Sequence, residues 1–134
     1  NTHSPISSKL QKKIRSTSPI TGSVKISQEV AKQGFEWENI SLLWEKFYEE
    51  TEELKEAIKK KDQINIEQEI GDLFFTLTNL ARWNDIDPEK SINETNKRFL
   101  RRFAYLEEEI TDPIPLYSKK QIQEIWKKAK RKVG

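Results

Sequence analysis

The chain has 134 residues, enough for one domain and short for two. Charged residues make up 34% and apolar ones another 34%, so a core forms only if the apolar positions are strictly patterned. The 24 Lys and Arg against 22 Asp and Glu give a net charge of +2, too even to point to nucleic acid, and zero Cys with a single His, His3, excludes disulfides, thiolate chemistry, Cys-ligated metals and His-based triads within one chain.

Residues 1–19 are rich in Ser, Thr, Pro and Lys and read as a flexible arm or linker, although Leu10 and Ile14 are spaced for one helical turn. Residues 20–134 read as one all-α domain. Apolar periodicity predicts helices over 23–32, ending before Gly34, over 41–61 and over 64–84. A fourth opens at Asp87-Pro88-Glu89, where Asp87 caps, Pro88 suits the first helical position and Glu89 suits the positive end of the dipole. It runs to about Ile110 and is closed by Asp112-Pro113. A fifth, over 118–132, opens with the capping-box spacing of Ser118 and Gln121. Short loops between long helices imply an antiparallel bundle of four to five helices.

On the second predicted helix, Leu43, Phe47, Leu54 and Ile58 share one stripe, and most of the acidic residues point to water. Glu50 differs: it lies about 60° from the stripe centre, with its i+3 neighbour Glu53 at about 120° on the same side. Such a Glu either snorkels, pairs with a Lys or Arg across the interface, or serves a site. On the third helix, Ile66, Ile70, Leu73, Phe74, Leu77 and Ala81 cover one face while Phe75 lies opposite, the pattern of a helix sandwiched between layers. Between these faces runs a strip without Lys or Arg: Glu69, Asp72, Thr76 and Asn79. Gly71 beside it costs about 1 kcal/mol relative to Ala and points to close approach by a backbone or ligand. If the two helices are antiparallel neighbours, the pairs Glu50/Glu53 and Glu69/Asp72 converge. Four carboxylates repel unless divalent cations lie between them, and all-oxygen ligation favours Mg²⁺ or Mn²⁺, whose shells are commonly completed by phosphates.

Glu49-Glu50-Thr51-Glu52-Glu53 followed by Glu69-Ile70-Gly71-Asp72 reads as EExxE then ExxD, and this resembles the MazG family of all-α nucleoside triphosphate pyrophosphohydrolases. Gly34-Phe35-Glu36-Trp37 is similar to the family's GFxW segment, and Ile125-Trp126-Lys127-Lys128-Ala129-Lys130 to its LWxxAK segment. Asn79-Leu80-Ala81-Arg82, Asn96-Lys97-Arg98-Phe99 and Arg101-Arg102-Phe103 resemble the segments between. The likeness covers roughly residues 20–130. It implies Mg²⁺-dependent hydrolysis of an NTP or dNTP to the monophosphate and pyrophosphate, with Glu50, Glu53, Glu69 and Asp72 as metal ligands, Mn²⁺ able to substitute, and a role in nucleotide-pool control. Gln68 stands where the family often has a second Glu, and Asn65 near where some members carry a Lys.

Arg98 and Arg102 flank the apolar stripe of the fourth helix and are the expected triphosphate ligands, a guanidinium fork matching non-bridging oxygens. The competing reading is a salt bridge to a neighbour such as Glu94. Trp126 is the candidate for stacking on the base, with Lys130 one turn away, against plain core packing; Trp37, Trp44 and Trp83 read as core or subunit interface. Glu50 or Glu53 is the expected proton acceptor. The expected assembly is a homodimer that completes the bundle. No apolar run reaches the ~20 residues of a membrane span and no signal segment is visible, as expected of a cytoplasmic protein without membrane or nucleic-acid partners. Met is absent even at position 1, so the chain reads as a trimmed piece or one domain of a longer protein. The alternative to an enzyme is a catalytically silent helical dimerisation or regulatory module.

Overall fold

The structure, a computed structural model, describes residues 5–134; the first four residues of the expected arm, His3 among them, lie outside the described residues. Six α-helices follow in order: α1 (Ile6–Ile14), α2 (Pro19–Lys32), α3 (Ile40–Lys59), α4 (Gln63–Trp83), α5 (Pro88–Glu109) and α6 (Lys119–Lys132), with a 3₁₀ turn at Ile114–Leu116. No strand occurs among the described residues, so the all-α expectation holds.

The helix starts are written in the sequence. Ser18, Asn39, Asp62 and Ser118 each accept a backbone N–H three residues on, and Pro19 occupies the first turn of α2. At α6 the capping box closes in both directions, with Gln121 N–H donating to Ser118 Oγ (3.1 Å) and Ser118 N–H to Gln121 Oε1 (2.8 Å). Three ends use the left-handed Schellman turn. At Gly34 (φ 95°) the Phe35 N–H reaches Val30 O; at Lys61 (φ 56°) the Asp62 N–H reaches Ala57 O; at Asp85 (φ 53°) the Ile86 N–H reaches Ala81 O.

Part of the stretch read as an arm is helical, as the spacing of Leu10 and Ile14 allowed. Residues 6–14 form α1, which packs on α2 and buries Leu10. Gly22 permits this contact, since an added Cβ would stand 3.4 Å from Ile14 Cβ. Helix α2 also starts at Pro19 rather than at 23, because Ser18 and Pro19 supply cap and first turn.

The chain divides into two compact units, residues 1–89 and 90–134. In the first, α3 and α4 form the central hairpin, α2 packs on α4, and α1 on α2. The Glu89 carboxylate accepts from the Ser18 and Thr21 hydroxyls. Leu43 and Ala57 of α3 and Leu80 of α4 are buried. In the second unit, Leu106 and Ala129 are buried, Phe99 leans on Trp126, and Lys128 meets Glu109 at 3.4 Å. Arg101 and Arg102 bind the last two carbonyls of the chain.

The wheel of α4 needs one revision. Its buried residues are Thr76, Thr78, Asn79 and Leu80, whereas Ile70, Phe74 and Leu77 of the predicted apolar face are 42%, 58% and 51% exposed. Thr76 and Asn79 of the polar strip are buried and Glu69 half-buried, while Asp72 is exposed and much of the apolar face is left open. On α3, Ile58 is likewise exposed. Gly71 has no atom within 4 Å of an added Cβ, so no backbone approaches it within the described residues.

Candidate functional site

The register of the central hairpin follows from three ties. Near the start of α3, Glu36 meets Arg82; in the middle, Glu50 meets Thr76; further on, Glu53 and Glu69 line one cleft of about 200 Å³. As numbers rise along α3 they fall along α4, so the helices are antiparallel. The two carboxylate pairs therefore lie at the same level of the hairpin.

The four acids are not equivalent. Glu50 is 4% exposed and accepts a hydrogen bond from the Thr76 hydroxyl. Burial pushes its carboxyl above the usual range; the Thr76 bond and the Lys46 charge pull it down by less, and Asp72 and Glu53 push it up again. Glu69 is half-buried, and its Oε2 is a buried oxygen with no hydrogen-bond partner. Glu53 and Asp72 are exposed. An inner pair, Glu50 and Glu69, is thus bordered by an outer pair, Glu53 and Asp72.

None of the four is paired with a Lys or Arg among the described residues, although ion pairs form elsewhere, such as Glu36–Arg82 and Glu109–Lys128. The cation-pairing reading of Glu50 is not what the hairpin builds. Among the described residues no three Asp, Glu or His side chains are drawn together as a ready metal-ligand group, so the acids do not form a closed cage. Their chemistry nevertheless fits a hard divalent cation: four carboxylates on facing helices, one orphaned buried oxygen, and no Lys or Arg ion-paired to any of the four among the described residues.

Beyond Glu50 and Thr76, a second cleft of about 560 Å³ opens between α2, α3 and α4. Arg82 fixes one wall by gripping both oxygens of Glu36 at 2.7 Å, and Trp83 Nε1 donates to the same carboxylate at 3.1 Å. Arg82 holds the Glu36 carboxyl below its ordinary value. The sequence showed Glu36 and Arg82 only inside separate motifs. Their pairing spans 46 residues and leaves no local signal. Thr76, named only as part of a strip, is the hydroxyl donor to Glu50.

The other expected substrate ligands lie in the second unit. Arg98 donates to Thr95 Oγ1 at 3.3 Å and makes no ion pair with Glu94. Arg102 Nε donates to Val133 O at 3.0 Å. Trp126 is half-buried, its ring centroid 5.1 Å from that of Phe99, and Lys130 is exposed.

An all-α domain with an i,i+3 acid pair on each arm of a hairpin is the class this geometry defines. Residues 38–106, just over half of the chain, match the MazG nucleotide pyrophosphohydrolase domain, and the chain belongs to that family. It is 35% identical over 112 residues to the nucleoside triphosphate pyrophosphohydrolase/pyrophosphatase MazG of Thermotoga maritima, covering 79% of this chain and 42% of that one. Against the nucleoside triphosphate pyrophosphohydrolase of Escherichia coli K12 it is 30% identical over 122 residues, covering 87% and 46%. The chain thus spans less than half the length of these relatives.

Proposed function

We propose that this chain hydrolyses nucleoside triphosphates, ribo or deoxy, to the monophosphate and pyrophosphate with the help of Mg²⁺, for which Mn²⁺ substitutes. The observation that carries this reading is the acid quartet without an ion-paired Lys or Arg, above all the buried, unpartnered Oε2 of Glu69 and the buried Glu50. Glu50, Glu53, Glu69 and Asp72 would hold the metal. Bound there, it would offset charge on the triphosphate oxygens and acidify a water.

The chain's own groups do the rest. Water attacks phosphorus at the α–β linkage, the new P–O bond replaces the bridging P–O bond, and pyrophosphate leaves. Glu53, exposed and without a hydrogen bond among the described residues, would take the water's proton; Glu50, held by Thr76, is the less free of the two. Thr76 orients Glu50 by donating to it. Arg98, Arg102 and Lys130 are proposed triphosphate ligands on grounds of charge and family likeness. The supporting chemistry is nucleotide-pool control in the cytoplasm. Among the described residues no helix is long and apolar enough to cross a membrane.

A homodimer belongs to the same proposal. Ile70, Phe74 and Leu77 form an open apolar face on α4, and Trp44 stacks on Tyr48 on α3 with both rings largely exposed. A second copy of this hairpin would cover such a face and complete the bundle.

The test is release of pyrophosphate from ATP, GTP, CTP, UTP and the four dNTPs with Mg²⁺. Turnover of at least one, lost in Glu69→Gln and in Asp72→Asn, supports the reading. A folded chain inert on all eight refutes it.

A further inference from the structure

The even net charge of the chain hides a split. Residues 1–89 carry 12 Lys and Arg against 16 Asp and Glu, a net of −4, while residues 90–134 carry 12 against 6, a net of +6. Within the second unit the excess is drawn together. Residues 95–106 of α5 hold four cations, residues 125–134 hold five, and neither stretch holds an acid. The two stretches meet: Arg101 donates to Gly134 O at 3.2 Å, Arg102 to Val133 O at 3.0 Å, and the Phe99 ring centroid lies 5.1 Å from that of Trp126. The acids Glu107, Glu108, Glu109 and Asp112 follow only at the far end of α5 and in the turn after it.

We propose that these facing stretches of α5 and α6 form a binding surface for single-stranded nucleic acid, a partner separate from the triphosphate substrate. The inference stands independently of the hydrolase reading.

Three observations support it. The first is surplus charge. Arg98, Arg102 and Lys130 are assigned above to the triphosphate, and Lys127 and Lys128 are spent on Glu124 and Glu109. Lys97, Arg101, Arg131 and Lys132 remain, all exposed and without an ion pair among the described residues. Like charges gathered this closely repel one another until an anion offsets them. One mononucleotide with its metal has no use for four further cations, whereas a strand with a phosphate at every nucleotide takes them in series.

The second is an aromatic face among the cations. Phe99 is 53% exposed and is braced by Phe103, stacked at 6.2 Å, and by Trp126. A firm, open ring beside guanidinium groups suits an unpaired base, and every base has a face to stack. A duplex keeps its bases inside and leaves Phe99 unused. The third concerns α6. All of its apolar residues are buried or half-buried, so its basic side comes with no free apolar side to enter a bilayer.

The experiment is fluorescence anisotropy of the intact chain with labelled oligo-dT and oligo-U of about 16 nucleotides, the upper site size of a single-strand groove. A duplex of the same length and co-sedimentation with phosphatidylserine-containing vesicles run alongside. Single strands should bind best, and about five phosphate contacts should cost about a hundredfold in affinity between about 50 and about 200 mM salt. Joint replacement by Lys97→Gln, Arg101→Gln, Arg131→Gln and Lys132→Gln should weaken binding at least about tenfold and flatten the salt dependence, with pyrophosphate release unchanged. Phe99→Ala should weaken binding about tenfold and keep the salt dependence, since stacking releases no counterions. No binding to single strands at low salt overturns the proposal. So does a preference for duplex or vesicles, or undiminished binding by the folded quadruple variant or the folded Phe99→Ala protein. Binding by a chain that releases no pyrophosphate sinks hydrolysis and leaves this surface standing.

Discussion

Thr76 donates its hydroxyl to the buried carboxylate of Glu50, and this bond joins the two helices at the level where their acid pairs meet. It is a device for keeping a desolvated carboxylate charged. Replacing Thr76 with Val removes the donor at nearly constant volume. The loss of a hydrogen bond to a charged group costs about 2 kcal/mol at neutral pH. Denaturant melts should show that loss shrinking in acid, where Glu50 is protonated, and the acid limb of the pH–rate profile should move to higher pH.

Glu50 also sets a pH dependence of stability. Burial raises its folded-state value above the unfolded one, so between the two the native chain binds the extra proton. The contribution of Glu50 to stability is therefore full below the unfolded value and declines as pH rises through the folded one. Glu50→Gln should melt higher than the parent at neutral pH without metal, and the difference should vanish in acid. A mutant less stable at pH 7 would show that Glu50 is already compensated within the chain.

Magnesium should stabilise the parent and leave the carboxylate variants unchanged. A cation bound only by the folded chain stabilises it by RT ln(1 + [L]/Kd), about 2.7 kcal/mol at a hundredfold excess over Kd. The parent melting temperature should rise with Mg²⁺ or Mn²⁺, and Glu50→Gln and Glu69→Gln should lose that rise. A silent dimerisation module predicts no metal-dependent shift in either.

Lys61 and Asp85 hold left-handed conformations at the ends of α3 and α4, where Gly carries no Cβ penalty. Lys61→Gly should stabilise the chain by about 0.5–1 kcal/mol, net of the added freedom of its unfolded state. Calorimetry with Gly34→Ala as the mirror case, destabilising at φ 95°, checks the argument.

Phe74 is 58% exposed on the open face of α4. Phe74→Asp should leave helicity intact and convert a dimer to a monomer in sedimentation equilibrium. A parent already monomeric at micromolar concentration would contradict the dimer proposal.

Much of this was legible in the sequence because it is local. The Ser118–Gln121 capping box, Asp87 with Pro88, and the break at Gly34 each occupy a few consecutive residues, and the structure uses them as written. The acid quartet was visible because i,i+3 spacing puts two carboxylates on one face. Less legible was which face of α4 turns inward. A wheel counts apolar residues, and Ile70, Phe74 and Leu77 outvote Glu69, Thr76 and Asn79; within one chain the hairpin nonetheless buries the polar strip. The ends at Lys61 and Asp85 carried no glycine to announce them. The Glu36–Arg82 pair and the aromatic cleft behind it arise only when segments 46 residues apart meet.

The central claim is that Glu50, Glu53, Glu69 and Asp72 together hold a divalent cation. Anomalous scattering from a crystal of this chain soaked in millimolar Mn²⁺ measures it directly. A manganese peak is expected within ligand distance of carboxylate oxygens from both α3 and α4, with Glu69 Oε2 among them. No peak at the hairpin, with those acids turned onto neighbouring Lys or Arg side chains, would contradict it.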